Sequence, residues 1–257
     1  MFKTTVYYGS DLDQLGDLRV PEGGEPHPVV VLLHGGFWRE RFTRELMDGL
    51  AEDLTRRGYA TWNLEYRRVG PSGGGWPTTL LDVAAGIDHL ADLASENRLD
   101  LSKVAVVGHS AGGQLALWSA SRGNLPTGSP GAGPIVSPRA VISLAGVNDL
   151  STAEEQGLGR GAVAEFLGDS VEHSQIYSLV SPIELLPIKT AQLLVHGTAD
   201  THVPVEQSRS YYESAIALGD SAELLVLEGV DHFALNNPES EIWLATAERI
   251  GPMLGSS

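Results

Sequence analysis

The unbroken apolar run Val29-Val30-Val31-Leu32-Leu33 stops abruptly at His34-Gly35-Gly36, and no other pattern constrains the chain as strongly. A β-branched stretch with no polar alternation suits a strand covered on both faces, as in the middle of a parallel sheet. Similar runs recur at Ala60 to Leu64, Val104 to Val107, Ala140 to Leu144, Gln192 to Val195 and Glu223 to Leu227, so six buried strands are expected. Segments with helical spacing separate them, at roughly Arg41 to Arg57, Thr78 to Ala94, Ser110 to Ser121, Val205 to Leu218 and Glu239 to Met253. This alternation predicts an α/β fold with a doubly wound, mostly parallel sheet flanked by helices. Thr4 to Tyr8 and Leu15 to Val20 would bring the sheet to about eight strands as an antiparallel hairpin at one edge.

Ligands of such sheets sit beyond the carboxyl ends of the strands, where the connecting loops gather. Two stretches break the rhythm. Gly123 to Pro138 is rich in Gly and Pro and reads as a long, flexible surface loop. Asp149 to Pro187 is far longer than the dozen or so residues a plain crossover needs, and it is a candidate lid or cap inserted into one domain spanning residues 1–257.

Gly108-His109-Ser110-Ala111-Gly112 fits G-x-S-x-G, and it lies directly after one apolar run and before an Ala/Leu-rich helical segment. A nucleophile on so sharp a turn needs small residues two positions to either side, because larger ones collide as the backbone doubles back. Gly108 and Gly112 meet that need. The helix that follows aims its N-terminal N–H groups and positive dipole end at Ser110, favouring charge that develops during attack. The plain alternative is a chance Gly-Ser-Gly turn. The chain has no cysteine, which removes thiolate nucleophiles, a disulfide framework and Cys-based metal sites.

His34-Gly35-Gly36-Phe37-Trp38 follows another central run and resembles the HGG-type loop that donates backbone N–H groups to an oxyanion. The expected donors are Gly36, Phe37 and Ala111. One such donor typically stabilises a transition state by ~3 kcal/mol. The remaining catalytic parts should follow in the order Ser, acid, His, on loops after later strands. Asp200 sits in the turn after the Gln192 to Val195 run, and His232 lies in Asp231-His232-Phe233 beyond Glu223 to Leu227. A neutral histidine can take the serine proton, and a buried carboxylate fixes its tautomer and stabilises the imidazolium. Asp149 is a rival acid and His202 a rival base. Asp231 points elsewhere by its adjacency to His232, while His34 and His109 are assigned supporting roles. No H-x-H, HExxH or Cys/His pattern groups the histidines, so no metal and no cofactor is expected.

Taken together, HGGFW at His34 to Trp38, Glu65-Tyr66-Arg67, GHSAGGQLA at Gly108 to Ala116, HGTAD at His196 to Asp200 and DHF at Asp231 to Phe233 carry a family likeness. The chain resembles the α/β hydrolases of the hormone-sensitive-lipase, acetyl-esterase and kynurenine-formamidase type, over roughly Tyr8 to Leu254. The resemblance implies the α/β-hydrolase fold, a Ser110–Asp200–His232 triad, an oxyanion hole, a short cap and hydrolysis of small carboxylic esters through an acyl-enzyme. Many lipase-type members carry a third glycine where this chain has Phe37, and the HGG-aromatic-Trp form is more similar to the formamidase branch. An arylformamidase or related amidase is therefore the first alternative to a carboxylesterase, and a non-catalytic ligand-binding module on the same scaffold is the second.

Trp38, His109, Val147 and Phe233 flank the catalytic loops and are candidates for the substrate pocket, although aromatic residues at strand ends also pack into cores. The formal net charge is −16, from 33 acidic and 17 basic residues, and no Lys/Arg run could form a phosphate-binding stripe. Nucleic acid is thus not an expected partner. No apolar run approaches the ~20 residues that cross a bilayer, and the N-terminus lacks a basic start followed by an apolar stretch. The expectation is a cytoplasmic protein with a small-molecule ester or amide as substrate, no membrane partner, and a homodimer as the assembly it could form.

Overall fold

Each apolar run becomes a strand because its flanking Gly, Pro and polar residues end it within a few positions. A computed structural model of the chain describes residues 2–24, 26–168 and 173–255. The strands are β1 (Phe2–Tyr7), β2 (Leu15–Val20), β3 (His27–Leu33), β4 (Ala60–Leu64), β5 (Leu99–His109), β6 (Ala140–Leu144), β7 (Ala191–Gly197) and β8 (Ala222–Leu227). They form one sheet in the order β1-β2-β4-β3-β5-β6-β7-β8. Only β2 pairs antiparallel, with β1 on one side and β4 on the other. The expected hairpin thus closes one edge. The other edge corrects an expectation: β8 was one of six strands read as buried, yet it lies at the margin with Glu223 exposed and its apolar residues half-buried.

The helices are α1 (Asp48–Arg56), α2 (Thr78–Asp88), α3 (Leu90–Asn97), α4 (Ala111–Ser121), α5 (Leu150–Glu155), α6 (Ala162–Leu167), α7 (His173–Val180), α8 (Glu206–Ala217) and α9 (Glu241–Met253). The segment read as one helix from Thr78 to Ala94 is two, parted at His89, and the one read from Arg41 begins as a 3-10 turn at Arg44–Met47. Alternate residues of each central strand face opposite layers. Val30, Leu32, Ala105 and Val107 pack against Leu50 and Leu54 of α1 and Trp243 and Ile250 of α9. Val29, Val31, Leu33 and Val106 pack against Leu80 and Val83 of α2, Leu115 and Trp118 of α4, and Tyr211 of α8. Each such side chain contributes about 1.5–3 kcal/mol on burial.

The insertion between β6 and β7 is built of α5, α6, α7 and two 3-10 turns, Leu158–Arg160 and Pro182–Leu185. Leu150, Val163, Phe166, Leu167 and Val180 join the same apolar cluster as the sheet. Residues 169–172 of the stretch read as a lid lie outside the described residues. The loop expected to be flexible is tied at both ends, because Asp88 pairs with Arg122 just before it and accepts the N–H groups of Ile135 and Val136 near its close, and Arg122 Nε also donates to Gly131 O at its middle. Among the described residues no helix is long and apolar enough to cross a membrane.

Candidate active site

β5 ends at His109 and α4 begins at Ala111, so the whole reversal of the chain falls on Ser110, with φ 57° and ψ −120°. Such backbone costs about 1–3 kcal/mol and persists only where its surroundings hold it. Here the Ser110 N–H donates to Leu144 O of β6 at 2.8 Å, and Ser110 O accepts from Gly113 N at 2.9 Å. Glycine is required on both flanks. A Cβ on Gly108 would lie 1.9 Å from Gly112 O, and one on Gly112 would lie 2.1 Å from Leu33 O.

The loop after β3 reaches the same point. Gly35 passes so close that a Cβ would sit 2.8 Å from the Ser110 Cβ. Gly36, Phe37 and Trp38 follow with φ of 109°, 53° and 57°, an unusual left-handed run for two bulky residues. Among the described residues, the N–H groups of Gly36, Phe37 and Ala111 donate to no protein carbonyl. The run is braced from two sides. Trp38 Nε1 donates to Gln114 Oε1 at 3.0 Å, its ring stacks on Phe166 at 4.6 Å, and Gln114 Nε2 donates to Val180 O at 2.9 Å. Phe37 packs on the backbone of Gly159, and Arg39 grips Glu165 through both Nε and Nη2. The insertion therefore holds the loop. Underneath, His34 Nε2 lies 2.8 Å from Glu65 Oε1, and Tyr66 stacks on His34 and donates to its carbonyl. Burial raises the Glu65 carboxyl, but the bond with His34 and the nearby Arg68 outweigh it and leave Glu65 below the usual range.

Past β7, Asp200 Oδ1 accepts the N–H groups of His202 and Val203, at 2.8 and 2.9 Å. Its Oδ2 lies 2.6 Å from His232 Nδ1 and 3.3 Å from His196 Nε2. Burial alone would raise this carboxyl; bonds from His196 and His232 reverse the effect and hold it well below the ordinary carboxylate range. A depressed folded value means that ionised Asp200 favours the folded state. Its contribution is complete above ~4, the unfolded value, and is lost as pH falls towards the folded one. Acidification from about pH 6 to about pH 3 should therefore lower the Tm of the wild-type chain more than that of Asp200→Asn, as followed by thermal melts.

Ser110, His232, His109, Phe233, Gly36 and Phe37 line one cavity of about 150 Å³, which Phe42, Leu46, His202 and Asn236 complete. Its walls are mainly apolar. Among the described residues no hydrogen bond joins the Ser110 hydroxyl to His232, and serine–histidine contacts of this kind often tighten only with substrate in place. His232 lies between two rings, with His109 at 4.4 Å and His202 at 5.1 Å. Phe233 stands 62% exposed at the rim.

Two pocket expectations need correction. Trp38 is 1% exposed because it anchors the loop to Gln114 and Phe166, and so faces away from the cavity. Val147 is 1% exposed in the core, with its N–H on Ser110 O at 3.3 Å. Asp149, the rival acid, spends its carboxylate capping α5, where it accepts from Thr152 N. Asp231 accepts the N–H groups of Phe233 and Ala234 and is turned away from the histidine ring. Phe42, Leu46 and Asn236 were not singled out from the sequence; the first two trail the glycine loop closely enough to have been suspected, whereas nothing local marks Asn236. Among the described residues no group of three His, Cys, Asp or Glu side chains could hold a metal ion.

A family model described as BD-FAE matches residues 17–214, a span that includes Ser110 and Asp200 and stops short of His232. Esterase LipC of Mycobacterium tuberculosis is 30% identical over 247 residues, covering 88% of this chain and 58% of that protein. The chain spans about half the length of the curated relatives it matches, from 50% to 58% of three of them. Among solved structures, a bifunctional GH43-CE from Bacteroides eggerthii has a TM-score of 0.83 at 23% identity, over 97% of this chain and 35% of that one. A butyrate-bound thermophilic esterase, Est2 of the planctomycete Thermogutta terrifontis, has a TM-score of 0.78 at 21% identity, over 98% of this chain and 93% of that one. At these identities the structural likeness is one of fold.

Proposed function

The chain belongs to the BD-FAE family, within the α/β hydrolases, and from that premise we propose that it is a serine carboxylesterase acting on small esters through an acyl-enzyme. The reading rests above all on one observation: His232, its Nδ1 2.6 Å from the buried Asp200 carboxylate, opens with Ser110 into a single apolar cavity. Asp200 holds the proton of His232 on Nδ1, which leaves Nε2 free to accept the Ser110 proton as Oγ attacks the acyl carbon. Negative charge then gathers on the former carbonyl oxygen, and the unused N–H groups of Gly36, Phe37 and Ala111 receive it. Collapse of that intermediate expels the alcohol with a proton from His232. Water, deprotonated by the same ring, next attacks the acyl-serine and releases the acid. Several of the relatives carry the name esterase, which supports the choice of bond. The volume of the cavity favours a short acyl or leaving group over a long lipid chain.

The test is a time course with a small aryl ester and an aryl formamide in parallel, before and after a fluorophosphonate, with mass spectrometry to locate the adduct. Ester turnover that disappears as Ser110 is labelled supports the proposal. Faster formamide turnover with the same label would transfer the protein to the amidases. Binding of an ester without label or turnover would make it a ligand-binding module.

We read the 149–187 insertion as a brace for the oxyanion loop, with Gln114 as the link. Gln114→Leu strands the Trp38 N–H and the Val180 carbonyl in the core, at about 1–3 kcal/mol for each unpaired group. The expected result in steady-state assays is a fall in kcat of about 10-fold with KM little changed, because the loss is felt in the transition state.

A further inference from the structure

The loop that carries His232 leaves a half-exposed edge strand and is itself exposed at Glu228, Gly229 and Asp231. A general base in such a place needs an anchor, since displacement by about 1 Å can cost 10²-fold in rate. The loop is anchored through the residue beside the nucleophile. His109 Nε2 lies 3.0 Å from His232 O, and Asn236 Nδ2 lies 3.0 Å from His109 Nδ1. A carbonyl only accepts, so Nε2 of His109 must carry the ring proton. Burial, reinforced by the neighbouring His232, pushes the His109 ring down to about 3, so it is neutral at ordinary pH and its Nδ1 is a bare acceptor. Asn236 must then present its amide N–H₂, and its Oδ1 is left buried with no partner. An orphaned acceptor is a cost that a purely structural asparagine could avoid by turning over, and here the ring forbids the turn.

We propose that Asn236 and His109 are positioning residues: the Asn236 amide sets the tautomer of His109, and His109 holds the backbone of His232 at a fixed distance from Ser110. The strut is short because His109 adjoins the nucleophile in sequence, so nucleophile and base share one rigid support. This inference rests on the roles of Ser110 and His232 proposed above. A glutamine at position 109 can place an N–H donor where histidine Nε2 stands, whereas leucine fills the space and donates nothing.

The experiment combines ring ¹⁵N shifts of the histidines in the wild-type protein with kinetics of His109→Leu and His109→Gln. The shifts are expected to show His109 neutral and protonated on Nε2 across the neutral pH range. His109→Leu should lower kcat by about 10- to 100-fold with KM within about 3-fold, and His109→Gln should recover most of that loss. A proton on Nδ1, a leucine variant with wild-type kcat, or glutamine and leucine variants equally impaired would each overturn the proposal. Should the leucine variant fail to fold, the glutamine variant and the ring shifts still decide. An absence of wild-type ester turnover and of fluorophosphonate label would remove the esterase reading instead, and the ring shifts would then judge the strut alone.

Discussion

Replacing Ser110 by alanine is expected to lower kcat for a small aryl ester by about 10⁶-fold and to leave thermal unfolding almost unchanged. The rate falls because no other hydroxyl in the cavity wall stands beside His232; the lining is otherwise glycine, phenylalanine, leucine, histidine and asparagine. Stability is spared because alanine keeps the Cβ that Gly35 packs against and the backbone bonds to Leu144 and Gly113 that hold the left-handed turn. A small residual rate over water should survive, since the N–H groups of Gly36, Phe37 and Ala111 remain to meet an oxyanion. Kinetics with active-site titration of the wild type would read the ratio. A loss of less than about 10-fold would place the nucleophile elsewhere and end the proposed mechanism.

The second large effect is expected at Asp200. Asparagine there keeps one acceptor oxygen, and the His202 and Val203 N–H groups claim it, since both donate to Oδ1. Its N–H₂ must then face His232 Nδ1 and force the ring proton onto Nε2, the nitrogen that has to accept from Ser110. A tautomer trap of this kind costs about 10⁴-fold in kcat. Asp149→Asn is the matched control, because asparagine caps a helix about as well as aspartate and can still accept from Thr152 N, so stability and turnover are both expected to change little. A silent Asp149→Asn beside a full-rate Asp200→Asn would leave His232 without an essential acid; a dead Asp149→Asn in that pairing would transfer the role to Asp149.

Parts of the molecule that depend on neighbours in sequence are legible in the sequence alone. Val29 to Leu33 announces a doubly covered strand because its residue types alone decide the matter, and Gly108 and Gly112 mark a tight reversal because nothing larger fits. The misread elements depend on what lies across space. The run from Glu223 to Leu227 has the composition of a buried strand, yet only its pairing with β7 alone makes it an edge. Trp38 follows Phe37, a proposed oxyanion donor, in the chain, but its direction is set by Gln114, 76 positions away, and by Phe166. Asn236 and His109 are separated by 127 positions, and a single sequence offers no local signal that they meet. Phe37 and Trp38 give no hint of their positive φ either, since aromatic residues seldom adopt it and distant partners in α4 and the insertion brace it here.

The place of His232 beyond the marginal strand β8 matters for how the protein comes into being. Synthesis delivers β1 to β7 before β8, and with them the middle of the sheet and the turn that presents Ser110. Asp200 follows, and His232 emerges last, on the order of ten seconds after the serine at ordinary ribosomal speeds. On the roles proposed here, a nascent chain in that interval possesses a nucleophile with no base to activate it. A ribosome stalled just short of His232, or a protease that removes the chain from β8 onward, would leave the proposed nucleophile silent and would also strip α9 from the face of β3 and β5 that it covers.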